Sequence, residues 1–175
     1  MTDITINIGL PQYLAQWFLH AQGGVEPVKL DKGSVESKVL QVYLTRPPKD
    51  YVPEQKKEGQ IAIVIPDNKT KDPLYYNYLP KNAQDLLVSC IHDRFVIELF
   101  TDINKLNNMG IHRKKLIRAW MQSHGIEYSG TNWDVIEKNY MRAANAYRQN
   151  LHRQKEKNKK QRKKHRFCGV KIQCQ

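Results

Sequence analysis

Four polar side chains, Lys138, Arg142, Asn145 and Gln149, recur at steps of four, three and four residues. A helix sets them in one file on one face. Their chemistry is that of base-edge reading: Arg pairs with guanine O6 and N7, and Asn or Gln with adenine N6 and N7. Directly after them, Arg153 to Arg166 (RQKEKNKKQRKKHR) holds nine Lys or Arg in fourteen residues against one acid, Glu156. Cations at that density suit a phosphate backbone, which rewards charge neutralisation whatever the base sequence. The expected nucleic-acid contacts are therefore of two kinds. Lys138, Arg142, Asn145 and Gln149 would face bases. Arg113, Lys114, Arg118, Arg148, Arg153, Lys155, Lys157, Lys159, Lys160, Arg162, Lys163, Lys164 and Arg166 would meet phosphates.

Two helices must position these groups. In residues 112–123 (HRKKLIRAWMQS), Leu116, Ile117, Trp120 and Met121 share one face and Gly125 closes the run. Thr131 and Asp134 spell a T-x-x-D capping box that predicts the next helix start at Thr131. Trp133, Ile136, Tyr140, Ala143 and Tyr147 then make its apolar stripe. Two helices about a glycine-bearing turn resemble, over residues 111–150, a helix-turn-helix in outline. The connection is longer than the compact form, so Myb-like and winged arrangements stay open. The basic run has no apolar residue to bury, and its like charges oppose helix. It reads as a flexible tail or a frayed extension of the preceding helix.

The charge distribution supports this division. Residues 1–110 carry 12 basic and 13 acidic side chains, whereas residues 111–175 carry 17 and 4, so the whole excess of +12 in 175 residues lies in the second part. A field so concentrated speaks to partners: nucleic acid, or an anionic surface. No lipidation motif or apolar anchor accompanies it, and no apolar run approaches the eighteen or so residues of a membrane span. No secretory leader is visible and the three cysteines are odd in number, which favours a reducing, intracellular compartment.

The first part reads as a small mixed α/β unit, making the expected class α+β. Ile4, Ile6 and Ile8 alternate with polar residues as in a half-buried strand, and Pro11 can open a helix at its first position, with Leu14, Trp17 and Phe18 on one side. Val25 to Leu30 suggests a short strand. Residues 34–44 favour a helix capped by Ser34, although Val42 and Leu44 also suit a strand. Pro47, Pro48 and Pro53 mark an exposed connection, and Ile61 to Ile65 a buried strand. A long central helix over about 83–106, with Asn82 as its N-cap, carries an apolar stripe from Leu86 to Leu106. The chain thus divides into residues 1–110 (core or interaction domain), 111–150 (helical pair) and 151–175 (basic tail).

Other chemistries find little support. His165, Cys168 and Cys174 lack the paired Cys spacing of a zinc site, and Cys90 and His92 would help only if the fold brought them close. Free thiols and a short strand from Phe167 to Cys174 are expected instead, with no metal and no cofactor. No phosphate loop, nucleophile elbow or H-E-x-x-H pair occurs. Asp93, Arg94 and Glu98 near His92 read as surface charge pairs, and Asp67, Asp72, Asp85, Asp93 and Asp102 as ordinary surface acids rather than nuclease ligands. The tyrosines of Asp72 to Pro80 read as rings packed on the domain, with a protein interface or base stacking as alternatives.

The expectation is a non-enzymatic DNA-binding protein that contacts phosphates through its polybasic end. A transcription regulator or an accessory factor of a phage or mobile element would fit. An RNA-binding ribonucleoprotein subunit and an assembly protein packing on nucleic acid are the alternatives. Residues 1–110 would serve self-association or a protein partner.

Overall fold

The structure, a computed structural model, describes residues 3–52, 55–68, 70–106 and 110–169, with side chains as far as Gln161. The described residues form a mixed α+β fold of one two-stranded antiparallel sheet and five helices. Strand β1 (Thr5–Gly9) pairs with β2 (Gln60–Val64) in a register that sets Ile6 opposite Ile63 and Ile8 opposite Ile61. All four isoleucines are buried. The period-two pattern thus presents one apolar face to the helices. The strand expected over Val25 to Leu30 contracts to a single bridge, in which Val28 exchanges hydrogen bonds with Ala62 and Val64 on the far edge of β2. Pro27, which has no N–H to donate, limits any extension towards the N-terminus.

Helix α1 (Gln12–Ala21) buries Leu14, Trp17 and Phe18. Pro11 stands at its N-cap rather than inside its first turn, with its carbonyl accepting from the N–H groups of Leu14 and Ala15. Helix α2 (Val35–Tyr43) takes the helical option for its segment, and the Ser34 hydroxyl accepts from the Ser37 N–H at 3.1 Å. At its other end Lys71 donates to the carbonyls of Val42 and Leu44, a cation placed where the helix leaves acceptors free.

Helix α3 (Lys81–Leu106) starts earlier than the sequence suggests. Pro80 supplies the first carbonyl, to Ala83 and Gln84, so Asn82 lies within the first turn instead of capping it. The cause is the rigid φ of Pro80, which prepares the chain for helix one step before the better side-chain cap. Leu87, Ile91, Phe95, Leu99 and Ile103 are fully buried along its length. Phe95 is the hub: Tyr13, Trp17 and Trp120 meet its ring edge-on at 5.3, 5.4 and 5.6 Å. Such edge-to-face geometry places positive ring edges on negative faces.

The charges beside His92 are not all surface pairs. Arg94 reaches Glu36 at 2.9 Å, whose side chain is only 3% exposed, and lies over the rings of Trp17 and Phe18. Helix α4 (Arg113–Ser123) buries Leu116, Ile117, Trp120 and Met121 against α3. Helix α5 (Gly130–Gly169) follows. The buried residues from Ile6 to Ala144 make one cluster, to which both the N-terminal unit and the helical pair contribute.

Candidate nucleic-acid interface

The start of α5 lies upstream of the T-x-x-D motif. Ser129 caps it, its hydroxyl accepting from the Asn132 N–H at 3.1 Å and its carbonyl from Trp133 at 2.9 Å. Asn132 is buried and donates to the Glu127 carbonyl at 3.0 Å, which fixes the turn before the helix. Thr131 is therefore a helical residue and not the cap. Ser caps better than Thr, and the buried Asn132 adds a tertiary reason for the earlier start.

Trp133, Ile136, Tyr140 and Ala144 turn α5 onto the core, and Phe100 of α3 touches Tyr140 and then Tyr147, with ring centroids 6.1 and 5.3 Å apart. Tyr147, half exposed, is the last of this stripe. From Asn145 to Gln161 no residue is buried. The helix nevertheless continues, so the basic run extends α5 to Gly169 instead of forming a separate flexible tail. One intrahelical pair, Lys159 with Glu156 at 3.1 Å, offsets some of the like-charge repulsion. It also holds the Glu156 carboxyl below its ordinary range, through the hydrogen bond first and the charge second.

Lys138, Arg142, Asn145 and Gln149 lie along α5 as the sequence places them, and all four are exposed. Arg148, Arg153, Lys155, Lys157, Lys159 and Lys160 are exposed on the same helix. Arg162, Lys163, Lys164 and Arg166 lie on it too, beyond the described side chains. The residues from Phe167 to Gly169 are helical where a terminal strand was expected; the rest of that segment, with Cys174, falls outside the described residues. A metal role for His165 and Cys168 falls outside the described side chains too.

On α4, Lys114 and Arg118 are exposed, while Arg113 is half-buried with its Nε enclosed and unpartnered. Arg118 stacks over Tyr128 at 4.5 Å in the turn between α4 and α5. Tyr128 and Lys115 escape a reading of the sequence. Lys115 stands beside Lys114, but nothing local marks Tyr128 as a platform for a side chain ten positions away.

The tyrosine loop is mixed. Tyr78 bridges to Thr45 and meets Tyr51 edge-on at 4.9 Å, and Arg46 lies over Tyr76, as packed rings should. Tyr75 and Leu74 are exposed. Among the described residues no helix is long and apolar enough to cross a membrane. No family model, characterised protein or solved structure matches the chain.

Proposed function

We propose that this protein binds nucleic acid, duplex DNA foremost, through α5, without catalysing a reaction on it. One observation carries this: α5 continues for more than a dozen residues past its last core residue, dense in cations and unburied. Such a segment gains nothing from the core and is opposed by its own charge, so a polyanion is the partner that stabilises it. From Arg148 to Gly169 it extends roughly 33 Å at 1.5 Å per residue, close to one turn of duplex. A helix of about 10–12 Å diameter also fits the major groove of about 12 Å. Lys138, Arg142, Asn145 and Gln149 then supply base contacts, and Arg148, Arg153 and the lysines beyond supply phosphate contacts. A regulator of transcription or an accessory factor of a mobile element is the class this reading favours.

A second reading, RNA, rests on Tyr128. This residue is 53% exposed and its ring is backed by Arg118, a surface on which an unpaired base can stack. Anisotropy titrations of the full chain against duplex DNA, single strands and structured RNA separate the two. The expected order puts duplex first, with log K falling against log salt at a slope of roughly −4.5 if about five phosphates are met. Binding that changes less than about twofold between about 50 and 200 mM salt rejects the proposal.

A further inference from the structure

The ends of α3 and α4 bring three ligand-type side chains together. Glu98 and Asp102 lie one turn apart on α3, and His124 follows the last residue of α4. His124 Nε2 is 3.2 Å from Glu98 Oε1 and 4.0 Å from Asp102 Oδ2, and all three ligand atoms lie within 4.8 Å of one another. The other ring nitrogen, Nδ1, is 2.8 Å from the Trp120 carbonyl and 3.0 Å from the Ser123 hydroxyl. A carbonyl only accepts, so Nδ1 carries the hydrogen and Nε2 is the nitrogen that faces the two carboxylates, free to donate a lone pair to a metal ion whenever it bears no proton.

We propose that Glu98, Asp102 and His124 form a binding site for a divalent transition-metal ion of the zinc type. Zinc bonds of about 2.0–2.2 Å in tetrahedral geometry separate ligand atoms by roughly 3.4 Å, a spacing the observed distances bracket. Imidazole with two carboxylates favours zinc, cobalt or nickel over magnesium and calcium, which take oxygen alone. Outer contacts are in place as well. The Nδ1–H to carbonyl bond fixes the ring, and the Trp120 indole donates to Asp102 Oδ2 at 3.3 Å. Lys105 holds the other oxygen, Oδ1, at 3.3 Å. Each of the three side chains retains between 21 and 35% exposure, which leaves a fourth position for water. The bound ion would clamp α3 to the turn that launches α5. This goes beyond nucleic-acid binding and does not depend on it.

The test is titration of the full chain, stripped of metal, with zinc against a chromogenic chelator, and separately with cobalt(II) followed by absorbance. The expected result is one ion per chain, with cobalt ligand-field bands and no thiolate charge-transfer band. Binding should persist in a C168S/C174S variant. It should weaken by more than about tenfold in His124→Ala, Glu98→Gln and Asp102→Asn, each checked for an unchanged helical signal. The Glu98→Gln variant keeps the side-chain shape and guards against loss of fold. Absence of micromolar binding, loss of binding in the C168S/C174S variant, or a change below about twofold in both Glu98→Gln and Asp102→Asn overturns the proposal.

Discussion

The Trp120 indole N–H donates to Asp102 Oδ2 at 3.3 Å while the same ring stacks on His124, with centroids 4.1 Å apart and planes inclined at 24°. One side chain from α4 therefore serves the core, through Phe95, and the polar cluster at the edge. Trp120→Phe should keep much of the packing and lose the donor, costing about 1 kcal/mol, whereas Trp120→Ala should cost about 3–5 kcal/mol. Urea midpoints at constant m-value measure both. Equal losses for the two variants would contradict separate roles for the ring and its N–H.

The Glu36–Arg94 pair joins α2 to α3 with one end buried and the other partly in solvent. Arg94→Met strands the Glu36 carboxylate and should destabilise the fold by about 3 kcal/mol. The double variant Glu36→Gln/Arg94→Met should recover a large part of that loss, because the penalty lies in the orphaned charge. Chemical denaturation of the four-member cycle reads the coupling, and strict additivity would contradict it.

Gly125 ends α4 with φ of +68°, and a Cβ placed there would stand 2.8 Å from the His20 ring. Gly125→Ala therefore meets both backbone strain and a side chain of α1. We expect a loss of more than about 1 kcal/mol, seen as a lower thermal midpoint. At Gly130, where nothing lies within 4 Å of an added Cβ and the residue is helical, the same substitution should be neutral or stabilising.

Glu26 accepts from the Ala62 N–H and from Lys56, both at 2.6 Å. The backbone hydrogen bond first, and Lys56 second, hold its carboxyl below the ordinary glutamate range. A depressed folded-state pKa contributes stability above the unfolded value of about 4.3 and loses it as pH falls through the folded value. Glu26→Ala should thus narrow its stability gap to wild type as the solution is acidified below about pH 4. Urea midpoints at about pH 7, 4 and 3 follow that gap; a gap independent of pH would show that the carboxylate is not the source.

Neutralising Lys155, Lys157, Lys159 and Lys160 together to Gln leaves the core untouched, since all four are exposed. Every phosphate that is no longer neutralised should reduce the salt slope by about 0.9. Replacing Arg142 and Asn145 by Ala should instead compress the difference between preferred and random duplexes. Anisotropy at several salt concentrations distinguishes the two effects. An unchanged slope in the lysine variant would exclude these four lysines from the phosphate contacts.

Much of this was legible in the sequence. Alternation at Ile6 and Ile8, the continuous run at Ile61, Ser34 as a cap and the stripe of α3 are local patterns, and local patterns determine local structure. Net charge is additive along the chain, so the concentration of cations after residue 110 needed no fold to be seen.

Tertiary structure decided what pairs with what. Trp120, Asp102 and His124 are joined by the packing of α4 on α3, and no spacing in the sequence predicts that a histidine after one helix meets two acids on another. Pro80 and Ser129 displaced Asn82 and Thr131 as helix starts, the first through its carbonyl and the second through its hydroxyl together with the buried Asn132. Propensity and periodicity act over a few residues, whereas the free energy that selects a contact comes from surfaces buried together across the whole core.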